Sequence, residues 1–307
     1  MKILLRLLFS FFVLLTSIGV YFTNRIMFIK KKEDNLIFNR EKEAKRLNPV
    51  QFHKLPKREI LIDSPFGYLL KAIVVEPHHT NRYVIISHGV TENKVNSIKY
   101  MNLFLERGFN AVIYDHRRHG ESGGKTTSYG YFEKFDLKAV VDWLKEDIGP
   151  HLFLGIHGES MGAATMLLYA GSIEDGADFY IADCPFSDFR EQLSNVLKTE
   201  MKLPPRLILP IAEIFLRIRG KYSLKGLSPI SVIENIQKPI LFIHSEKDDY
   251  ILPKMTKALY ERKKGPKKLF LAPNGVHAQS FNENQEGYEK AVDEFLDELV
   301  FKRADWL

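Results

Sequence analysis

The chain of 307 residues holds a single cysteine, Cys184, so no intramolecular disulfide can staple it and no paired-cysteine metal site can form. HExxH, CxxC and EF-hand patterns are also missing, and nothing in the sequence calls for a metal or a cofactor. There is no internal repeat and no low-complexity tract. With 45% hydrophobic and 27% charged residues, the composition excludes a disordered chain, a collagen and a small disulfide scaffold. Acidic residues are scarce in one place only. Residues 1–58 carry 13 Lys/Arg against 4 Asp/Glu, and the remainder carries 31 against 34. The formal net charge of +6 therefore belongs to the N-terminal arm, and the body is mildly acidic. A nucleic-acid partner is not expected from such a distribution.

Charge is almost absent from Ile3 to Phe22, where Arg6 is the one ionised side chain. A run of about twenty apolar residues matches the thickness of a bilayer core and predicts a transmembrane helix. A basic start followed by an apolar stretch also fits a signal peptide. The best small-x-small candidate, Ser17-Ile18-Gly19, is a poor one, so residues 1–29 are read as an uncleaved signal anchor with a membrane-lipid partner. Arg25 and Lys30-Lys31-Lys32 against Lys2, Arg6 and the α-amino group favour a cytoplasmic C-terminal side by charge counting. Residues 30–57 read as a charged stalk. Its clusters Lys30-Lys31-Lys32 and Lys42 to Arg46 would meet anionic headgroups or stand as a solvated helix.

From residue 58 onward, short β-branched runs alternate with longer amphipathic stretches. Strands are predicted at Arg58–Asp63, Tyr68–Val75, Tyr83–Ser87, Phe109–Asp115, His151–His157, Asp178–Asp183, Pro239–His244 and Lys267–Ala272. Helices are predicted near Val95–Arg107, Glu133–Ile148, Met161–Ser172, Pro253–Lys263 and Glu283–Lys302. After two opening strands the alternation argues an α/β domain over 58–307, with a mostly parallel sheet covered on both faces. Ligands of such sheets sit at the carboxyl ends of the strands. An insertion at about 185–238 carries a polar helical stretch, Asp188–Met201, and a more apolar one, Leu203–Arg219. A connection of that length is expected to be a helical lid over the site.

The densest chemical signal is Gly158-Glu159-Ser160-Met161-Gly162, a G-x-S-x-G placed directly after one predicted strand and directly before a predicted helix. A strand-to-helix turn this tight thrusts the serine above the sheet and leaves no room for side chains two residues before and after it, at Gly158 and Gly162. It also sets Ser160 at a helix N-terminus, which favours developing negative charge. A serine hydroxyl is a weak nucleophile near neutral pH and needs a histidine base oriented by a carboxylate. His277, between the last predicted strand and the last helix, is the candidate base. In the loop Ser245 to Pro253, Asp248 is the chosen acid, with Asp249 and Glu246 as alternatives. The oxyanion donors are expected to be the N–H groups of Met161 and of Val90, which follows His88-Gly89 at the end of the third strand. Gly123-Gly124-Lys125-Thr126 ends like a phosphate-binding loop, but His119 stands where that loop requires glycine. Cys184, beside Pro185, reads as a small packed residue.

His88-Gly89, Asp115-x-Arg117-x-x-Gly120-x-Ser122, Gly158-x-Ser160-x-Gly162, Asp248 and His277 together resemble the α/β-hydrolase superfamily over about residues 60–300. More narrowly, the chain is similar to bacterial membrane-anchored hydrolases of the serine aminopeptidase and prolyl-oligopeptidase-like branches. The resemblance implies an eight-stranded sheet, a lid insertion and a cofactor-free Ser-His-Asp mechanism. For anchored members it also implies a domain outside the cytoplasm. Ser245 stands where glycine is usual, and the HGGG of the hormone-sensitive-lipase-like branch is missing. The expected function is a single-pass membrane serine hydrolase cleaving carboxylic esters. A serine peptidase or amidase acting on small peptides, and a non-catalytic binding module of the same fold, are the rivals.

Overall fold

Eight short runs rich in Val, Ile, Leu and Phe form the strands: β1 (Lys57–Asp63), β2 (Leu69–Val75), β3 (Arg82–Ser87), β4 (Asn110–Tyr114), β5 (Phe153–Glu159), β6 (Phe179–Asp183), β7 (Ile240–Ser245) and β8 (Lys267–Ala272). The computed structural model describes residues 1–302. The strands make one sheet in the order β1-β2-β4-β3-β5-β6-β7-β8. β1 and β2 pair antiparallel with each other, and β2 with β4; every later pairing is parallel. From β3 to β7 every strand residue except Arg82 and Phe153 is buried. Continuous apolar strands of this kind require cover on both faces.

That cover is α4 (Ile98–Leu105) with α11 (Gln285–Phe295) on one face and α5 (Glu133–Ile148), α6 (Met161–Ser172) and α9 (Pro253–Arg262) on the other. The predicted helix over Val95–Arg107 begins later, because Asn93 to Ser97 forms turns in which the Asn93 side chain accepts from Val95 N–H at 3.0 Å. The stretch Glu283–Lys302 is divided into the short α10 (Ser280–Glu283), α11 and a wider π-helical turn, Leu296–Phe301. The insertion folds as α7 (Phe189–Thr199), capped by Asp188 accepting from Glu191 N–H at 3.0 Å, and α8 (Pro205–Phe215), followed by a π-helical turn and three short 3-10 turns.

The N-terminal arm folds onto this body. α1 (Lys2–Met27) has the length and apolarity to cross a bilayer. Its first thirteen residues are exposed, while Gly19, Thr23, Ile26 and Met27 are buried against the rest of the protein. The segment expected as a stalk forms α2 (Asp34–Glu43) and α3 (Pro49–Lys54). Ile37 and Leu47 are buried within it, Leu47 in the same apolar cluster as α4 and β2. Isolated apolar residues in a polar helix carry no periodic signal, so this docking depends on the surface they meet.

Candidate active site

At the carboxyl end of β5 the chain turns into α6 through Ser160, whose backbone sits at φ 54°, ψ −114°. A non-glycine residue in this region costs about 1–3 kcal/mol and persists where its surroundings over-determine it. The surroundings are tight. A Cβ on Gly158 would lie 2.6 Å from the backbone of Ala163, and one on Gly162 would lie 2.0 Å from the Ser87 carbonyl oxygen. The Ser160 N–H donates to the Asp183 carbonyl at 2.8 Å, tying the turn to β6.

Three side chains from separate loops meet there. Ser160 Oγ is 2.8 Å from His277 Nε2, and His277 Nδ1 is 2.7 Å from Asp248 Oδ2. Asp248 Oδ1 accepts the N–H groups of Tyr250 and Ile251, each at 3.0 Å. Asp249 and Glu246, the alternative acids, make no contact with the imidazole among the described residues. A carboxylate acceptor at Nδ1 fixes the His277 proton on that nitrogen and leaves Nε2 free to take the serine proton. Burial alone would raise the Asp248 pKa, but hydrogen bonds from His244 and His277 and their charge bring it down to about 2. The carboxylate stays ionised through the physiological range.

His244 lies at the carboxyl end of β7. Its Nε2 lies 3.0 Å from Asp248 Oδ2 and 2.8 Å from the Ile251 carbonyl, and its Nδ1 lies 2.6 Å from Thr256 Oγ1. Both Nε2 partners are acceptors, so that nitrogen carries a proton. The carboxylate is thus held by two histidines and two amides. The one signal in sequence was the spacing of four residues from Asp248 across a tight loop.

Val90 follows β3 and lines the same cavity as Ser160, and Met161 is the first residue of α6. The Met161 N–H is therefore among those with no acceptor inside the helix. The cavity, about 310 Å³, is bordered by Ser160, His277, Gly89, Val90 and Gln279, and also by Lys32, Arg40 and Arg46 from the N-terminal arm. Lys32 and Arg40 both pair with Glu92, the latter at 2.8 Å, and Lys32 N–H donates to the Thr91 carbonyl at 3.1 Å. Asn93 Nδ2 donates to Asp34 at 2.7 Å. The loop after β3 is thereby clamped by residues 32–40. Burial raises the Glu92 pKa, and the hydrogen bonds from Arg40 and Lys32 outweigh it, lowering it to about 2.

Deleting residues 1–57 is expected to cut turnover of a soluble chromogenic substrate more than tenfold, because it removes this clamp and one wall of the cavity. Deleting residues 2–14, which are exposed, is expected to leave that turnover within about twofold of the intact protein in detergent. Side-by-side kinetics of the two truncations check the pair.

Beneath the nucleophile, Glu159 makes a buried ion pair with Lys99 at 3.1 Å and accepts from Tyr100 Oη at 2.7 Å and Asn96 Nδ2 at 3.1 Å. The register of β5 on β6 places Asp183 directly beside it. Burial, with the Glu159 charge, pushes Asp183 up to about 7. Between about pH 4 and 7 the folded protein then holds a proton that the unfolded chain has lost, so this residue makes stability fall as pH rises through that window. Asp183→Asn is expected to raise the melting temperature at pH 8 by several degrees and to give no advantage at pH 4. Thermal denaturation at the two pH values checks it.

Ligand atoms of Cys184, Asp248 and His277 lie within 4.8 Å of one another. Asp248 and His277 are engaged with each other, and burial keeps the Cys184 thiol protonated. A protonated thiol is a poor metal ligand. None of the residues of the Asp115-x-Arg117-x-x-Gly120-x-Ser122 motif lines the cavity that holds Ser160. Ser122 Oγ bridges the Asp115 carbonyl at 2.7 Å and the Lys71 N–H at 2.8 Å, and Asp115 binds Lys94 Nζ at 2.7 Å.

The family model for serine aminopeptidase, S33, matches residues 78–222. In fold, an esterase of Pyrococcus furiosus, Pf2001, superposes with a TM-score of 0.67 at 23% identity, covering 83% of this chain and 94% of its own. The chain belongs to the α/β-hydrolase superfamily. Within it, the uncharacterized protein YqkD of Bacillus subtilis (strain 168) is 52% identical over 284 residues, 92% of this chain and 93% of that protein. The lysophosphatidylserine lipase ABHD12 of Danio rerio is 26% identical over 183 residues, 58% of this chain and 46% of that protein. The family match supports hydrolase activity, and the eight-stranded sheet agrees with the sequence expectation.

Proposed function

We propose that the protein is a membrane-anchored serine hydrolase that cleaves carboxylic esters through an acyl-enzyme. The observation that carries the reading is the continuous hydrogen-bonded path Ser160–His277–Asp248, at 2.8 and 2.7 Å. Ser160 Oγ attacks the acyl carbon while His277 Nε2 takes its proton. The carbonyl electrons move onto oxygen, where the N–H groups of Val90 and Met161 receive them. Collapse breaks the bond to the alcohol oxygen, which leaves with the proton from His277. Water then enters, gives a proton to His277 and attacks the acyl carbon; the acid departs and Ser160 recovers its proton. Asp248 stabilises the imidazolium formed in each half.

Ester cleavage is favoured over aminopeptidase action by the charges around the cavity. An aminopeptidase must hold a substrate ammonium, but Glu41, Glu92 and Glu159 are each paired with Arg46, Arg40 or Lys99. The named activity of the Danio rerio lipase supports the same choice, whereas the name of the matched family model, serine aminopeptidase, favours the rival. A panel of acyl esters against aminoacyl amides tests it: turnover of esters is expected, and preferential turnover of the amides would select the peptidase.

The helix α1 is assigned as the anchor, residues 30–57 as a linking segment docked on the domain, and 58–307 as the hydrolase domain. The domain is assigned to the extracytoplasmic side on its resemblance to anchored members of the superfamily, against the charge count of the flanks of α1. Protease added to intact cells is expected to cleave the domain, and protection until lysis would place it in the cytoplasm.

A further inference from the structure

We propose that the anchor helix is also part of the substrate site: a fatty acyl chain of a bilayer lipid ester lies in the groove between α1 and the lid, entering from the membrane and ending at Ser160. Resting on the serine-hydrolase reading above, this names the substrate class as long-chain acyl esters resident in the bilayer.

A second cavity of about 130 Å³ separates α1 from the lid, lined by Phe22 and Ile26 of α1, Leu193 and Leu197 of α7, and Leu209 and Ala212 of α8. Its charged lining residues, Arg25 and Glu200, are both exposed. Apolar walls that narrow suit a hydrocarbon chain and offer little to a peptide. The groove adjoins the cavity of the nucleophile, because Ile29 and Tyr250 line both this cavity and the one that holds Ser160. The Tyr250 ring centroid is 5.0 Å from that of His277.

The outer end of the groove lies at the level of the membrane. The apolar stretch Ile3–Phe22 is about as long as a bilayer core is thick, so its polar boundary falls near Tyr21 to Arg25. The lid grips α1 at that height. A Cβ on Gly19 would lie 2.2 Å from the Phe215 ring, so glycine is what lets α8 approach. Arg219 binds the Val20 carbonyl at 3.2 Å and Asn24 Oδ1 at 2.6 Å. Beside this contact Leu207, Ile214 and Ile218 are 67%, 56% and 60% exposed. Their spacing of seven and four residues places them on one face. An apolar ridge next to an exposed apolar helix is a surface that the bilayer would cover. On this proposal the acyl chain runs from hydrocarbon at one end, past Ile29 and Tyr250, to the cavity that holds Ser160 at the other.

The test uses the full chain in lipid nanodiscs and a palmitoyl-length alkyl fluorophosphonate carrying a diazirine at mid-chain. Ser160 displaces fluoride from phosphorus, which fixes one end of the chain; illumination then marks what the rest of it touches. Peptide mapping is expected to find the adduct on Ser160 and photo-crosslinks on Phe22–Ile29 and on α7 or α8. In parallel, Ala212→Trp, which fills the groove, is expected to lower the ratio of kcat/KM for a palmitate ester to that for an acetate ester at least tenfold. Ser160 labelled with crosslinks elsewhere, or an unchanged ratio, overturns the groove and leaves the hydrolase reading standing. Absence of label on Ser160 overturns both.

Discussion

Ser160→Ala is expected to lower kcat for a chromogenic acetate ester by on the order of 10⁵- to 10⁶-fold. The substitution removes one oxygen and keeps the turn, since alanine retains the Cβ already present and adds no volume. The N–H that ties the turn to Asp183 at 2.8 Å is a backbone group and survives. What disappears is the atom that forms the acyl-enzyme, so the burst of alcohol release should vanish together with the steady state. A residual acceleration of about 10³ over water can remain from the oxyanion donors and substrate binding. The melting temperature should change little, which separates loss of chemistry from loss of fold. Pre-steady-state kinetics on wild type and variant check both statements.

Asp248→Asn is the second large effect, about 10⁴-fold in kcat, and here the geometry makes the substitution worse than a change of charge. One carboxylate oxygen accepts from the Tyr250 and Ile251 amides at 3.0 Å each; the other faces His277 Nδ1 at 2.7 Å and His244 Nε2 at 3.0 Å. All four partners are donors. Whichever way an asparagine amide is turned, its NH₂ meets two of them, so either the amides or the histidines lose an acceptor. If the NH₂ faces the histidines, His277 is driven to the tautomer with its proton on Nε2, which cannot accept from Ser160. Because the free-enzyme Asp248 pKa is about 2, wild-type activity should not fall on acidification through this group until far below pH 4. The pH profile of kcat/KM for the variant and the wild type checks the assignment.

Much of the fold was legible because the signal was local. The runs that became β3 to β7 are β-branched and aromatic, bounded by turn residues, and their limits differ from the expected ones by one or two positions. His151 and Leu152 fell outside β5 because Leu152 N–H closes a turn to the Gly149 carbonyl at 3.2 Å. Ser160 announced itself through the two glycines that flank it. The structure brings Ser160, Asp248 and His277 together although 117 residues separate the first from the last, since each lies just past the carboxyl end of a strand or at its following loop.

What stayed hidden depends on tertiary register. The Glu159–Asp183 pair exists because β5 and β6 align those two positions. The second histidine on Asp248 needs the loop Glu246–Leu252 to fold back over β7. The N-terminal arm was legible as a tether, from its hydropathy and charge, and illegible as a wall of the site. Lys32 and Arg40 meet Glu92 only once the arm is docked on the loop after β3.

The central claim is that Ser160 is the acylated nucleophile. Its most direct test is to treat the intact protein in detergent with a fluorophosphonate probe and locate the adduct by peptide mass spectrometry. A single stoichiometric adduct on Ser160, lost in Ser160→Ala and strongly slowed in Asp248→Asn, is the predicted result. Labelling at another serine, or equal labelling of Ser160→Ala, would contradict the account.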